Sequence, residues 1–143
     1  MRVFIPIILL VLVLTSCEVK TTPISYGKDG CAYCGMTIVD KQHASQMVTT
    51  KGKNYNFDSI ECLVSYQRGN TDKEPGLLLV ADYDNPGQLI DAKNAVYLKS
   101  PNITSPMAAN LSAFKDRGVA EKMKEQSEGQ LYPWEELSGL IQK

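Results

Sequence analysis

The sequence predicts an α+β domain, in which antiparallel strands carry a few helices packed on one side. Short runs rich in β-branched and aromatic residues, separated by Gly, Pro, Asn and Asp, indicate strands. Apolar residues that recur three or four positions apart behind a capping residue indicate helices.

Residues 1–16 are predicted to be a lipoprotein signal peptide. Arg2 precedes a twelve-residue apolar run at 3–14, which is shorter than the about 20 residues of a membrane-spanning helix. The run ends in LTSC at 14–17, the bacterial lipobox pattern in which the chain is cut before a lipidated cysteine. Several acyl chains on one residue anchor a protein stably. We therefore expect lipidation of Cys17; the alternative is an ordinary signal peptide with an incidental cysteine.

The mature chain is predicted to contain a short tether and one domain. Residues 17–29 are polar and contain Pro23 and Gly27, as in a linker between lipid and domain. Residues 30–143 are long enough for one compact domain. The net charge of −1 offers no basic patch, so nucleic acid is excluded as a partner.

In the first half, the pattern predicts a hairpin followed by a helix. Lys-Gly-Lys at 51–53 separates two strand-like runs. Asp58 is interpreted as the helix N-cap and Gly69 as the residue that ends the helix. The predicted elements are strands 44–50 and 54–57 and helix 59–68.

The second half loosely repeats this order, with an irregular segment inserted. Residues 100–110 contain two prolines and no periodic pattern. Asp116 begins a stretch with apolar residues on one helical face. The predicted elements are strands 77–81, 95–99 and 111–114 and helix 116–126, with a further helix near the C-terminus.

The segment CAYCGMTI at 31–38 concentrates sulfur, with two thiols and a thioether within six residues. Of the four cysteines, lipidation of Cys17 would leave Cys31, Cys34 and Cys62. An odd number cannot all pair within one chain. An unpaired thiol is prone to oxidation in an oxidising compartment. The odd number of cysteines therefore indicates that one of these thiols has a function.

Zinc binding and thiol–disulfide exchange are two possible roles for this sulfur. A structural zinc site needs four ligands, and beside C-x-x-C the chain shows no second ligand pair at zinc spacing. Cys62 is interpreted as a structural thiol and His43 as a surface histidine. Redox C-x-x-C pairs start a helix in a thioredoxin-like unit, whereas this pair follows a tether. A reductant acting through Cys31 and Cys34 remains the alternative, as does a structural lipoprotein in which they form an inert disulfide.

Copper(I) binding explains the sulfur-rich segment better than zinc binding or disulfide exchange, because Cu(I) selects thiolate and thioether donors. Cys34 and Met36 are two residues apart in a stretch predicted to be extended. Their side chains would then share a face, with Cα atoms about 6.6 Å apart. Met107 lies in the irregular 100–110 segment, where packing explains a methionine less easily. Met47 and Met123 follow strand and helix patterns and are interpreted as core residues.

Five segments resemble the NosL family, the lipoprotein accessory factors of nitrous oxide reductase. They occur in the family's order and extend over nearly the whole mature chain. C-G-M at 34–36 and the later P-M at 106–107 are the specific part. The segments are CAYCGMTI, FDSIECLVSY, VADYDNPGQLIDAKNAVYL, SPMAANLSAF and LYPWEEL.

The resemblance implies a membrane-anchored lipoprotein that faces the periplasm and is not an enzyme. It would bind one Cu(I) and deliver it to the copper-sulfide centre of nitrous oxide reductase, with other Nos accessory proteins as further partners. Two similar β-β-α halves, as in the NosL/MerB-like fold, are implied. Cys34 and Met36 match the family's C-G-M and Met107 its P-M, so these are the implied ligands. Cys31 matches a cysteine that only some members have and is the weaker candidate.

Overall fold

The structure is a computed structural model that describes residues 18–141. The predicted signal peptide and the predicted lipidation residue Cys17 lie outside the described residues. Within 18–141, no helix is both long enough and apolar enough to cross a membrane.

The described chain forms two antiparallel sheets with helices packed on them, which confirms the α+β prediction. The first sheet has the strand order β2-β1-β3-β4 and the second β6-β5-β7. The elements are β1 (Ser45–Thr49), β2 (Asn54–Phe57), α1 (Ile60–Gly69), β3 (Pro75–Ala81), β4 (Leu89–Asp91), β5 (Val96–Lys99), β6 (Leu111–Phe114), α2 (Arg117–Ser127), β7 (Gln130–Tyr132), a 3₁₀ turn (Trp134–Glu136) and α3 (Leu137–Leu140).

Both halves follow the same path, and the implied β-β-α repeat is confirmed. In the first, β1, β2 and α1 are followed by β3, which pairs antiparallel with β1. In the second, β5, β6 and α2 are followed by β7, which pairs antiparallel with β5. The sequence interpretation placed strand 77–81 in the second half, which is wrong. Its apolar residues pair with β1 instead, Val80 opposite Ser45 and Leu77 opposite Val48.

Helix α1 lies in the core, where it contacts β1, β2 and, from the second half, β6. Ile60 and Leu63 are fully buried on it. Ser59 is its N-cap, because its hydroxyl accepts a hydrogen bond from the backbone N–H of Cys62 at 3.2 Å. The assignment of the cap to Asp58 is therefore wrong, and the Asp58 carboxyl is free to face the thiols described below.

His43 joins the two halves and is buried, so its interpretation as a surface residue is wrong. Its Nδ1 lies 2.7 Å from Oδ2 of Asp40, and its Nε2 lies 3.0 Å from the hydroxyl of Ser112 on β6. Next to it, the backbone N–H of Tyr83 donates to the carbonyl of Ala113 at 2.8 Å. This link has no local signal in the sequence because Ser112 is 69 residues away from His43.

Part of the segment predicted to be a tether lies against the edge strand β2. The Asn54 side chain accepts from the N–H of Thr22 at 3.0 Å and donates to the carbonyl of Lys20 at 3.1 Å. Ile24 and Tyr26 pack against the core. These contacts cover an otherwise open strand edge.

Candidate metal site

A tight loop brings Cys31 and Cys34 into the domain. The backbone N–H of Cys31 donates to the carbonyl of Met36 at 2.8 Å, and that of Gly35 donates to the carbonyl of Cys31 at 2.9 Å. Gly35 has φ +78°, a conformation that costs glycine little. Residues 32–34 form a turn, so the extended stretch predicted at 34–36 is wrong. Cys34 is half-buried, whereas the Met36 side chain is 44% exposed.

Three thiols and one carboxyl converge beside this loop. The Sγ atoms of Cys31, Cys34 and Cys62 and a carboxylate oxygen of Asp58 lie within 4.8 Å of one another. We call these four residues the thiol cluster. They come from the 31–34 loop, the end of β2 and the first turn of α1. All three thiols are free of disulfides, and Cys31 and Cys62 are buried.

Hydrogen bonds and burial give the three thiols of the cluster different pKa values. Cys34 Sγ donates to Oδ2 of Asp58 at 3.5 Å, while the buried Oδ1 of Asp58 has no hydrogen-bond partner among residues 18–141. A hydrogen bond with Cys62 is the main influence that lowers the pKa of Cys31 to about 6. The same bond raises the pKa of Cys62. Burial is the main cause that raises the pKa of Cys34 to about 11.

We expect Cys31 to be the first thiol of the cluster to ionise. Its pKa of about 6 lies below the ordinary value of 9.0, so its ionisation stabilises the fold above the ordinary pKa. That contribution is lost as the pH falls through about 6. The ultraviolet absorbance of thiolate in the reduced, metal-free protein should therefore show a step near this pH that disappears in Cys31→Ser.

Two further variants check that assignment. Cys62→Ala removes the hydrogen bond to Cys31, so the step should move toward higher pH. Cys34→Ser should leave it in place. A step that survives Cys31→Ser would contradict the assignment.

The structure separates the predicted ligands into two groups. Cys31 and Cys34 belong to the thiol cluster, whereas the methionines Met36 and Met107 are 44% and 41% exposed. Met107 lines a cavity of about 390 Å³ together with Tyr33, Glu61 and Cys62. Met107 therefore lies at the same cavity as Cys62, a member of the thiol cluster.

Sequence reasoning missed Cys62 and Asp58 as candidate ligands. The signal was present in FDSIEC, where an acidic residue and a cysteine four positions apart span a helix start. In the folded chain these two residues supply a second pair of potential ligands that spacing along the sequence does not reveal. Three sulfurs and one oxygen are donors that soft and borderline metal ions accept. A bound cation would also offset the repulsion between neighbouring thiolates.

The fold and the thiol cluster define a class of α+β domain, with two ββαβ halves and a group of potential metal ligands beside the first helix. The NosL family model matches residues 24–140. The chain belongs to the NosL family.

A solved structure has a similar fold. It is the crystal structure of the copper chaperone NosL from Shewanella denitrificans, with a TM-score of 0.70 and 23% sequence identity. The match covers 83% of this chain and 96% of that chain. At this identity the likeness is evidence for the fold. No curated protein sequence is similar enough to this chain to count as a match.

Proposed function

We propose that this protein is a Cu(I) metallochaperone, a carrier of the ion and not an enzyme. The observation that carries the proposal is the convergence of three thiols and a carboxyl within 4.8 Å. Membership of the NosL family and the fold shared with a protein described as a copper chaperone support it.

Cys34 is the proposed primary ligand, because it alone belongs to both the thiol cluster and the C-G-M motif. One thiolate neutralises one cuprous ion, and the neutral thioethers of Met36 and Met107 add donors without repulsion. Cys31 is a further candidate from the buried side. Cu(I) binding would displace the Cys34 proton and favour the thiolate despite its raised pKa.

Release by ligand exchange follows from the exposure of the proposed thioethers. Met36 is 44% exposed and Met107 is 41% exposed, so ligands of an acceptor protein can approach from the solvent side. A thioether can leave as an incoming donor binds, and Cys34 leaves last. Copper then passes between proteins without entering solution.

The proposed acceptor is nitrous oxide reductase, during assembly of its copper-sulfide centre, and other Nos accessory proteins are further proposed partners. The NosL resemblance supports both. The lipobox at 14–17 supports a lipid anchor on Cys17 and a location on the periplasmic face of a membrane.

A thiol–disulfide reductant acting through Cys31 and Cys34 is the second candidate function. The lowered pKa of Cys31 and the closeness of both sulfurs favour it. Such a reductant would reduce a disulfide substrate while Cys31 and Cys34 become oxidised to a disulfide, and Cys31→Ser would abolish this activity. A chaperone should keep most of its copper binding in that variant.

Titration with Cu(I) under reducing conditions tests the chaperone proposal. Against a competing chelator, and by native mass spectrometry, we expect one Cu(I) per chain. Met107→Ala should weaken binding by about tenfold, because one soft donor is lost. The control is Met123→Leu, which changes a methionine packed against the buried residues Leu98, Ile103, Phe114 and Ala120. Unchanged affinity in Met107→Ala would remove this residue from the site.

A further inference from the structure

The loop that carries Met107 has an unusual backbone. The N–H of Ala108 donates to the carbonyl of Ser105 at 3.0 Å, and the N–H of Asn110 donates to the Ser105 hydroxyl at 2.9 Å. Ala108 has φ +60° and Asn110 φ +58°. A left-handed conformation costs a non-glycine residue such as alanine roughly 1–2 kcal/mol, so contacts from outside the loop must hold it.

Glu61 on α1 supplies such contacts. Its Oε1 accepts hydrogen bonds from the Ser105 hydroxyl and from the backbone N–H of Ala109, the latter at 3.2 Å. These two donors stand two residues before and two residues after Met107. Glu61 is only 3% exposed, and it directly precedes Cys62. One turn of α1 therefore supplies both a thiol of the cluster and the anchor of the Met107 loop.

The burial of this carboxyl argues for a specific role. Removing a carboxyl from water is costly unless hydrogen bonds compensate. Here both bonds go to Oε1, while the buried Oε2 has no partner within the described residues. Glu61 also lines the cavity that it shares with Cys62 and Met107. An apolar side chain would fill this position at lower cost if packing were its only role.

We propose that Glu61 is a positioning residue, whose carboxyl oxygen holds the Met107 loop so that the thioether of Met107 stays at the cavity that Cys62 also lines. The proposal rests on the Cu(I) function proposed above. Held in place, the thioether has a high effective concentration at the metal. Once released, the loop would move away from its left-handed turns, and Met107 would add little to Cu(I) retention.

The test compares Glu61→Ala, Glu61→Gln and Ser105→Ala in the full-length protein. Glutamine keeps an acceptor oxygen and removes the charge, so it separates positioning from electrostatic attraction. Glu125→Ala, on the exposed face of α2, is the matched control. The first measurement is the NMR signal of the ¹³C-labelled Met107 methyl group in metal-free protein, assigned with Met107→Ala. The second is the affinity for Cu(I).

We expect Glu61→Ala to shift and sharpen the Met107 methyl signal and to weaken Cu(I) binding by about tenfold. Ser105→Ala, which removes one of the two donors, should give a smaller change of the same kind. Glu61→Gln and Glu125→Ala should resemble the wild type. If Glu61→Ala does not fold, an unchanged Met107 signal in Ser105→Ala would by itself overturn the proposal.

A Met107 signal unchanged in both Glu61→Ala and Ser105→Ala would overturn the proposal. So would a loss of affinity in Glu61→Gln as large as in Glu61→Ala, which would assign the effect to charge. If the wild type itself does not retain Cu(I), the chaperone function is wrong. The methyl signal of the metal-free protein then still decides whether Glu61 positions Met107.

Discussion

Serine in place of Cys34 is expected to remove most of the affinity for Cu(I). Loss of a group that merely orients a metal ligand costs about 10–100-fold in affinity, so loss of the primary thiolate should cost about 100-fold or more. The hydroxyl is a hard donor that Cu(I) does not select. Cys34 is also the half-buried member of the thiol cluster, so serine there should leave the fold intact. Competition with a chelator and a thermal unfolding curve measure the two effects.

Cys31→Ser and Cys62→Ser are the matched variants, because they change the two buried thiols of the same cluster. We expect them to retain more Cu(I) affinity than Cys34→Ser and to lose more stability, since each places a hydroxyl in the core. The opposite order, with Cys34→Ser still binding tightly, would move the site to the buried pair. It would also favour a site without the two exposed thioethers.

The second large effect is expected in the fold, where Gly129→Ala should destabilise the protein by about 3 kcal/mol or more. Gly129 has φ +121°, and a Cβ there would clash with the Lys99 carbonyl oxygen and lie 3.0 Å from Cα of Ser100. Both obstacles are backbone, at the end of β5 where β7 pairs with it. Relief therefore requires the strand pairing itself to shift. Denaturant unfolding monitored by circular dichroism gives the free energy.

Alanine substitutions at two other glycines separate the cost of the steric clash at Gly129 from the cost of its left-handed backbone. Gly87 has φ +87°, and no atom of the described residues lies within 4 Å of an added Cβ, so Gly87→Ala should cost only the roughly 1–2 kcal/mol of left-handed backbone. Gly139 lies in α3, and within the described part of the chain an added Cβ there meets nothing within 4 Å, so alanine should be neutral or stabilising by about 1 kcal/mol at most. Equal losses at Gly129 and Gly87 would show that the close approach to Lys99 has no energetic effect.

Much of the fold was predictable because its signals are local. The strands at 54–57 and 111–114 have the predicted bounds, and α1 and α2 lie within a residue of theirs. Strands β4 and β7 were missed because three residues are too few for an alternating pattern. The membership of 77–81 in the first sheet depends on pairing with β1, which periodicity does not encode.

The candidate site was only half predictable. C-x-x-C and C-G-M are contiguous, so Cys31, Cys34 and Met36 stood out in the sequence. Cys62 lies beside Cys31 and Cys34 only because packing of the core holds α1 against the 31–34 loop, which is a tertiary effect. The supposed alternation at 34–36 failed at Gly35, whose positive φ turns the chain.

The contacts of Lys20 and Thr22 with β2 would restrict the height of the domain above the bilayer. If Cys17 carries lipid as proposed, Lys20 is only the third residue after it, and the Lys20 carbonyl is fixed to Asn54. A stretch of three residues spans at most about 10 Å, which is much less than the reach of a long flexible linker. The domain would then stay close to the lipid headgroups. A protein that accepts copper from it would have to approach the membrane surface to bind the ion.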